Sequence, residues 1–272
     1  MNTSSKFCAA VITLALGIHP ATSNADAKAD AARYGKQALE AAKKKDWPAA
    51  IENYKKVIQA EPKDEKNYVY LGIAYRSAGN LDEAIKSFSG AIEAAPNDAS
   101  GYLQRSSTYI TQQKYDLVIA DMSEVIKRDP NNALAHRHRG FAYLKKQDWN
   151  HAREDYDAAL KHGHDDREPL VRRAFVLMQL KENDKAIADY SEIIKKNPKD
   201  VEALIARSYL YEVKADFAKG IADCDKVLSL EADNAEAASR KKRLQTKQNQ
   251  PAPAPGTPSP ATAGSVPPRK AP

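Results

Sequence analysis

Cysteine is almost missing from this chain of 272 residues, which has only Cys8 and Cys224. Cys8 lies at the start of an N-terminal apolar stretch; once that segment is removed, Cys224 is alone and an internal disulfide is excluded. Glycine is also sparse, at 11 residues. No phosphate-cradling glycine loop, nucleophile elbow or paired-histidine metalloprotease motif occurs, so no residue stands out to carry catalysis. Long apolar runs are lacking too. Phe7–Ile18 offers 12 residues, too few at about 1.5 Å each to cross a bilayer core of ~30 Å. Finally, no Asp or Glu follows Glu236, whereas Arg240, Lys241, Lys242, Arg243, Lys247, Arg269 and Lys270 do.

That last absence explains the charge. The net +6 and pI of about 9.0 come from the C-terminal end. Between Asp26 and Ser239 basic and acidic residues nearly balance, at 34 against 36. A general nucleic-acid-binding surface is therefore not expected. At the other end, Lys6, the apolar stretch and the small residues of Ser23–Ala25 have the form of an export signal over residues 1–25. The alternative is an uncleaved anchor or a structureless leader. Signal removal leaves no transmembrane segment, and export without disulfides suits a bacterial periplasm or a secreted protein.

What is abundant is repetition. "GIAYRSAGNLDEAIKSFSGAI" (72–92) returns as "GFAYLKKQDWNHAREDYDAAL" (140–160), with a third version from Gly101 halfway between. Six blocks of 34 residues follow without a gap: 31–64, 65–98, 99–132, 133–166, 167–200 and 201–234. Position eight of the block is always small, as Ala38, Gly72, Ser106, Gly140, Ala174 and Ser208. Position twenty is mostly small, and position twenty-four is mostly large, as Tyr54, Phe88, Met122, Tyr156, Tyr190 and Cys224. Apolar sites recur at helical spacing twice per block, separated by a polar break. Each block reads as a helical hairpin whose helices approach closely at the small columns. A lone hairpin cannot bury its apolar face, whereas stacked neighbours bury a continuous core.

The pattern "Y-x-x-L-G-x-x-Y…A-x-x-x-F…P" from Tyr68 to Pro96 resembles the tetratricopeptide repeat, and the resemblance covers residues 31–234. It implies an all-α, right-handed superhelical solenoid of about six hairpins. Residues 235–244 continue the phase as a capping helix, closing a domain over 26–244. From Gln245 to Pro272 the composition turns to Pro and Ala, which reads as a disordered tail with polyproline II character.

Two columns covary. Position seven holds Arg105, Arg139, Arg173 and Arg207 in the last four blocks, and position twenty-three holds Asp121, Asp155, Asp189 and Asp223 in the same four. The first two blocks lack both. In an antiparallel hairpin these positions face one another, so four structural ion pairs are expected, buried by preference over exposed.

Positions two, six, nine and thirteen of each first helix point away from the stack, on the side that in tetratricopeptide arrays lines a peptide-binding concave groove. Tyr70, Ile73, Gln104, Ser107, His138, Phe141, Arg172, Phe175 and Tyr209 fall there. Aromatic anchors among polar donors suit a protein or peptide ligand; packing against adjacent helices is the competing explanation. The Lys and Asn set that holds a C-terminal carboxylate in chaperone adaptors is missing. Five histidines fall in the fourth block, including His162 and His164 at a turn, but no set of four converging ligands with metal-site spacing is present. No cofactor or metal is expected. Cys224, in a core column, reads as packing.

The function expected is non-enzymatic: a protein-binding adaptor or assembly factor of the cell envelope. The alternative is an envelope scaffold acting through its basic, Pro-rich tail. Partner identity and oligomeric state are not encoded in any motif.

Overall fold

Short polar side chains set where the helices begin. Asp64, Asp98, Asn132, Asp200 and Asn234 each accept a hydrogen bond from a backbone N–H in the first turn that follows. Asp46, Asp148 and Asp216 do the same for the second helix of their hairpins. Each cap satisfies a donor that the helix itself leaves unpaired, a contribution of about 1 kcal/mol.

The structure, a computed structural model, describes residues 24–163 and 167–250, and every regular element among them is an α-helix. The order is α1 Asn24–Lys43, α2 Trp47–Ala60, α3 Glu65–Ser77, α4 Leu81–Ala94, α5 Ala99–Thr111, α6 Tyr115–Arg128 and α7 Ala133–Lys145. It continues with α8 Trp149–His162, α9 Arg167–Gln179, α10 Asn183–Lys196, α11 Val201–Val213, α12 Phe217–Leu230 and α13 Ala235–Gln248. From α3 onward, first helices start every 34 residues, at 65, 99, 133, 167, 201 and 235. Each helix packs chiefly on its predecessor and successor in the chain, so the array is a solenoid of hairpins.

The small columns are where helices meet. Ala38, Ser106, Ala174 and Ser208 are fully buried, and a Cβ added at Gly72 would lie 2.4 Å from the Phe88 ring. Only glycine allows that approach. Phe88, Met122, Tyr156 and Cys224 then fill the space alongside, at 1% exposure or less.

The hairpin turns share a backbone device. Lys45, Gln113, Gln147, Lys181 and Ala215 all adopt φ near 60°, and Gly79 takes the equivalent place with φ 85°. This left-handed residue reverses the chain after each first helix.

Two boundaries differ from the sequence reading. The capping helix continues to Gln248 rather than ending at residue 244, because Gln245, Thr246 and Lys247 carry no breaker before Pro251. Helix α1 opens at Asn24, ahead of the first block and inside the segment read as a signal. The rest of that signal, the tail beyond residue 250 and His164 lie outside the described residues. No described helix is long and apolar enough to cross a membrane.

Candidate functional site

Successive first helices touch one another, α3 with α5, α5 with α7 and α7 with α9, while successive second helices make no comparable contact. The first helices therefore line the tighter, inner curve of the solenoid. At about 100° per residue, positions two, five, six, nine, twelve and thirteen lie around the centre of that inner face.

The sequence-derived groove residues divide into two groups. Tyr70 is 49% exposed and stacks on Tyr54 with ring centroids 5.9 Å apart. Leu39, on the first helix of the preceding hairpin, is 50% exposed. Ile73, Ser107, Phe141, Phe175 and Tyr209 are half-buried. Phe175 packs beside Leu144, Tyr156 and Val176, with Trp149 edge-on at 6.2 Å. Phe141 carries the Arg172 guanidinium 4.5 Å above its ring and meets Tyr115 edge-on. Tyr209 lies under Arg240 at 5.4 Å.

Position six is drawn toward the neighbouring hairpin. Arg76 donates to the Gln104 side-chain oxygen at 2.8 Å, and His138 Nδ1 meets the Ser106 hydroxyl at 3.1 Å. Burial and the Arg137 charge push the His138 pKa down to about 4, so its ring is neutral at ordinary pH. Arg172 pairs with Glu168 on its own helix. The inner curve is thus a mosaic of exposed apolar groups and half-buried polar contacts.

Behind it, on the other side of the first helices, runs the charged ladder. Arg105 binds Asp121 in bidentate fashion at 3.0 and 2.7 Å, and Arg139 binds Asp155 at 2.9 and 2.9 Å. Arg173 and Asp189, then Arg207 and Asp223, repeat the geometry. The carboxylates are 4–8% exposed and the guanidinium side chains 18–23%. At Asp121 and Asp189 burial outweighs the paired arginine and raises the carboxyl pKa. At these two sites desolvation offsets much of the arginine's attraction, so a buried pair of this kind is weak evidence for net stability.

Each arginine also has a third partner, which the Arg and Asp columns do not reveal. The remaining guanidinium nitrogen of each arginine donates backward into the preceding hairpin, to Ser89, Ser123, Asp157 and Ser191 in turn. The signal was present at position twenty-five: Ser or Asp occurs wherever the next block carries Arg, and Lys55 precedes Leu71. Lys241 on the cap extends the same register to Asp225 at 2.6 Å. An open pocket lies beside Leu71, lined by Lys55, Ile58, Tyr68, Tyr75 and Glu83, and one at the same block positions lies beside Arg139, so it does not depend on the arginine.

His136 replaces the tyrosine of its column yet keeps that residue's bond. Tyr68 donates to the Pro62 carbonyl at 3.1 Å, and His136 Nε2 lies 3.0 Å from the Pro130 carbonyl. Among the described residues no three His, Cys, Asp or Glu side chains gather as metal ligands would. Cys224 is 1% exposed, beside the Ser208 hydroxyl.

An all-helical array of stacked hairpins with one lining helix per repeat defines the class of helical-repeat proteins. Residues 41–104, 103–169 and 170–200 each match sequence descriptions of the tetratricopeptide repeat. Together they span residues 41–200, and the chain belongs to the tetratricopeptide-repeat family. No curated protein sequence matches it significantly. Similar solved structures include the C-terminal part of a TPR repeat-containing protein from Cytophaga hutchinsonii, at 17% identity and TM-score 0.68, covering 80% of this chain and 91% of that one. Another is YrrB, described as a TPR protein with an unusual peptide-binding site, at 19% identity and TM-score 0.61, covering 71% and 100%. Pseudomonas aeruginosa PilF matches at 13% identity and TM-score 0.62, covering 82% and 99%. These likenesses establish the fold. A tetratricopeptide array is a protein–protein interaction module, and the fold is typically a non-catalytic scaffold.

Proposed function

We propose that the inner curve of the first helices holds a peptide segment of a partner protein, and that the chain acts as an adaptor or assembly factor after export to the periplasm or the exterior. One observation carries the binding surface. Five large apolar side chains stay exposed among the described residues: Leu39, Tyr70, Leu117, Leu134 and Val213. All but Leu117 sit on the inner face of first helices, at positions nine, six, two and thirteen. Apolar side chains left in water on one continuous face are what a docking surface requires and a solvated face does not. The peptide-binding site named for YrrB supports the same reading by analogy of fold. Export rests on the form of residues 1–25.

The test is a Leu39→Ser/Tyr70→Ser double variant. Both side chains are about half exposed, so the variant should melt within about 1 kcal/mol of wild type while losing a partner that wild type retains from the periplasmic or secreted fraction. Phe141 and Phe175 are poorer choices, since Phe175 helps fill the hairpin core. Undiminished partner retention by the double variant would remove the inner curve from the account.

A further inference from the structure

The inner curve is not electrostatically neutral, although the body of the chain is. In the first four hairpins its positions hold Lys36, Lys43, Lys66, Arg76, Arg137 and Lys145, and no Asp or Glu at all. Acidic residues enter this face only further along, as Glu168, Glu202 and Glu212. With 34 basic and 36 acidic residues between Asp26 and Ser239, this one-sided distribution puts the compensating acids elsewhere on the array.

Most of these cations have no carboxylate of their own. Lys43 pairs with Glu40 at 3.2 Å and Arg137 approaches Glu168 at 3.8 Å. Among the described residues Lys36, Lys66, Arg76 and Lys145 have no ion-pair partner. Arg76 is the most informative. It is half-buried, bonds only the neutral Gln104 side chain and the Gln104 carbonyl, and lies 5.6 Å from the Phe88 ring. Other half-buried arginines of the array, Arg105, Arg139, Arg173 and Arg207, each hold an aspartate in bidentate fashion. A desolvated guanidinium without an anion is costly to keep, and one supplied from outside would meet a fixed, preorganised fork. Lys145 sits 5.0 Å from the Phe141 ring, and Leu39 and Tyr70 interrupt the basic run with exposed apolar surface.

We infer that the partner segment is an acidic peptide bearing apolar or aromatic side chains, lying along α1, α3, α5 and α7 with one of its carboxylates on Arg76. This rests on the inner-curve reading and adds the chemistry of the occupant. Complementary charge steers such a segment into the groove and excludes basic ones.

A random dodecapeptide phage library panned on the full chain tests it, with the selected consensus peptide then titrated by fluorescence anisotropy. Selected peptides should carry net negative charge together with Leu, Phe, Tyr or Trp. Their affinity should fall roughly tenfold in Arg76→Gln, the loss expected for a charge-assisted bidentate contact, and should weaken as salt is raised. Because Arg76 also packs on Phe88, Lys66→Gln/Lys145→Gln is the second variant; both lysines are exposed, and the fold should be untouched while binding weakens severalfold. Selection of neutral or basic peptides that still need Leu39 and Tyr70 would overturn the acidic partner and keep the groove. Acidic peptides indifferent to both variants would also overturn it. A library yielding no binder would overturn both readings.

Discussion

His136 and Asp155 lie 2.9 Å apart, imidazole Nδ1 to carboxylate oxygen, while the other ring nitrogen faces the Pro130 carbonyl at 3.0 Å. Both partners are acceptors, so only the doubly protonated ring donates to both. The bond to Asp155 raises the His136 pKa above 6.5, burial and Arg139 opposing. A raised folded pKa means the stabilisation is complete below about 6.5 and is lost as pH rises through the folded value. Urea midpoints should therefore fall between pH 6 and pH 8.5, and His136→Gln should flatten that slope. An unchanged slope in the variant would assign the pH dependence elsewhere.

Asp155 also receives Arg139 in bidentate fashion and its side chain is 4% exposed. Asp155→Asn strands two cationic partners and should cost ~3–5 kcal/mol. Asp157 touches Arg173 at 2.6 Å but is 51% exposed, so Asp157→Asn should cost under about 1 kcal/mol. Equal losses in chemical denaturation would contradict the burial of the ladder.

Glu212 anchors the end of the array. Its 8%-exposed carboxylate takes Arg243 at 2.7 Å and Lys247 at 2.8 Å, both from α13, with Arg240 at 3.7 Å. Arg243 first, then Lys247, pull its pKa from 4.5 down to about 2 against the opposing effect of burial. This contribution is present above pH 4.5 and disappears as pH falls through about 2. At pH 7, Glu212→Gln should speed amide exchange in α13 while leaving α1 to α4 at wild-type protection. Uniform exchange changes across the array would argue against a local anchor.

The left-handed turn residues offer a stabilising change. Ala215 holds φ 58° where Gly79 holds φ 85°, and nothing lies within 4 Å of a Cβ built on Gly79. Ala215→Gly should raise stability by about 0.5–1 kcal/mol, since only glycine enters this region without a steric penalty. Gly79→Ala should lower it by a similar amount. Loss of stability in Ala215→Gly would show that its turn is not strained.

The columns of the repeat made most of the architecture legible, because helix packing here reads single positions: a small residue at Gly72 or Ala174, a large one at Phe88. The Arg–Asp pairs were legible for the same reason, appearing and vanishing together. Their partners at position twenty-five were harder to see, since Ser89 and Ser191 covary with an arginine of the next block rather than with a residue of their own. The φ near 60° at Lys45 and Gln147 left no mark either, as neither residue type prefers that region and only Gly79 advertises it. At the inner curve, helical phase placed Tyr70 on the open face. It could not show that Gln104 and His138 bend toward Arg76 and Ser106, which depends on how far one hairpin tilts against the next.

Site-specific photocrosslinking in the native host reaches the central claim most directly. A benzophenone side chain would be placed in turn at Leu39 and Tyr70 on the inner curve and at Leu117 on α6, all three exposed in the unmodified chain. The account predicts one discrete partner crosslinked from positions 39 and 70 and not from 117. Crosslinks arising from 117 alone, or from none of the inner positions, would contradict it.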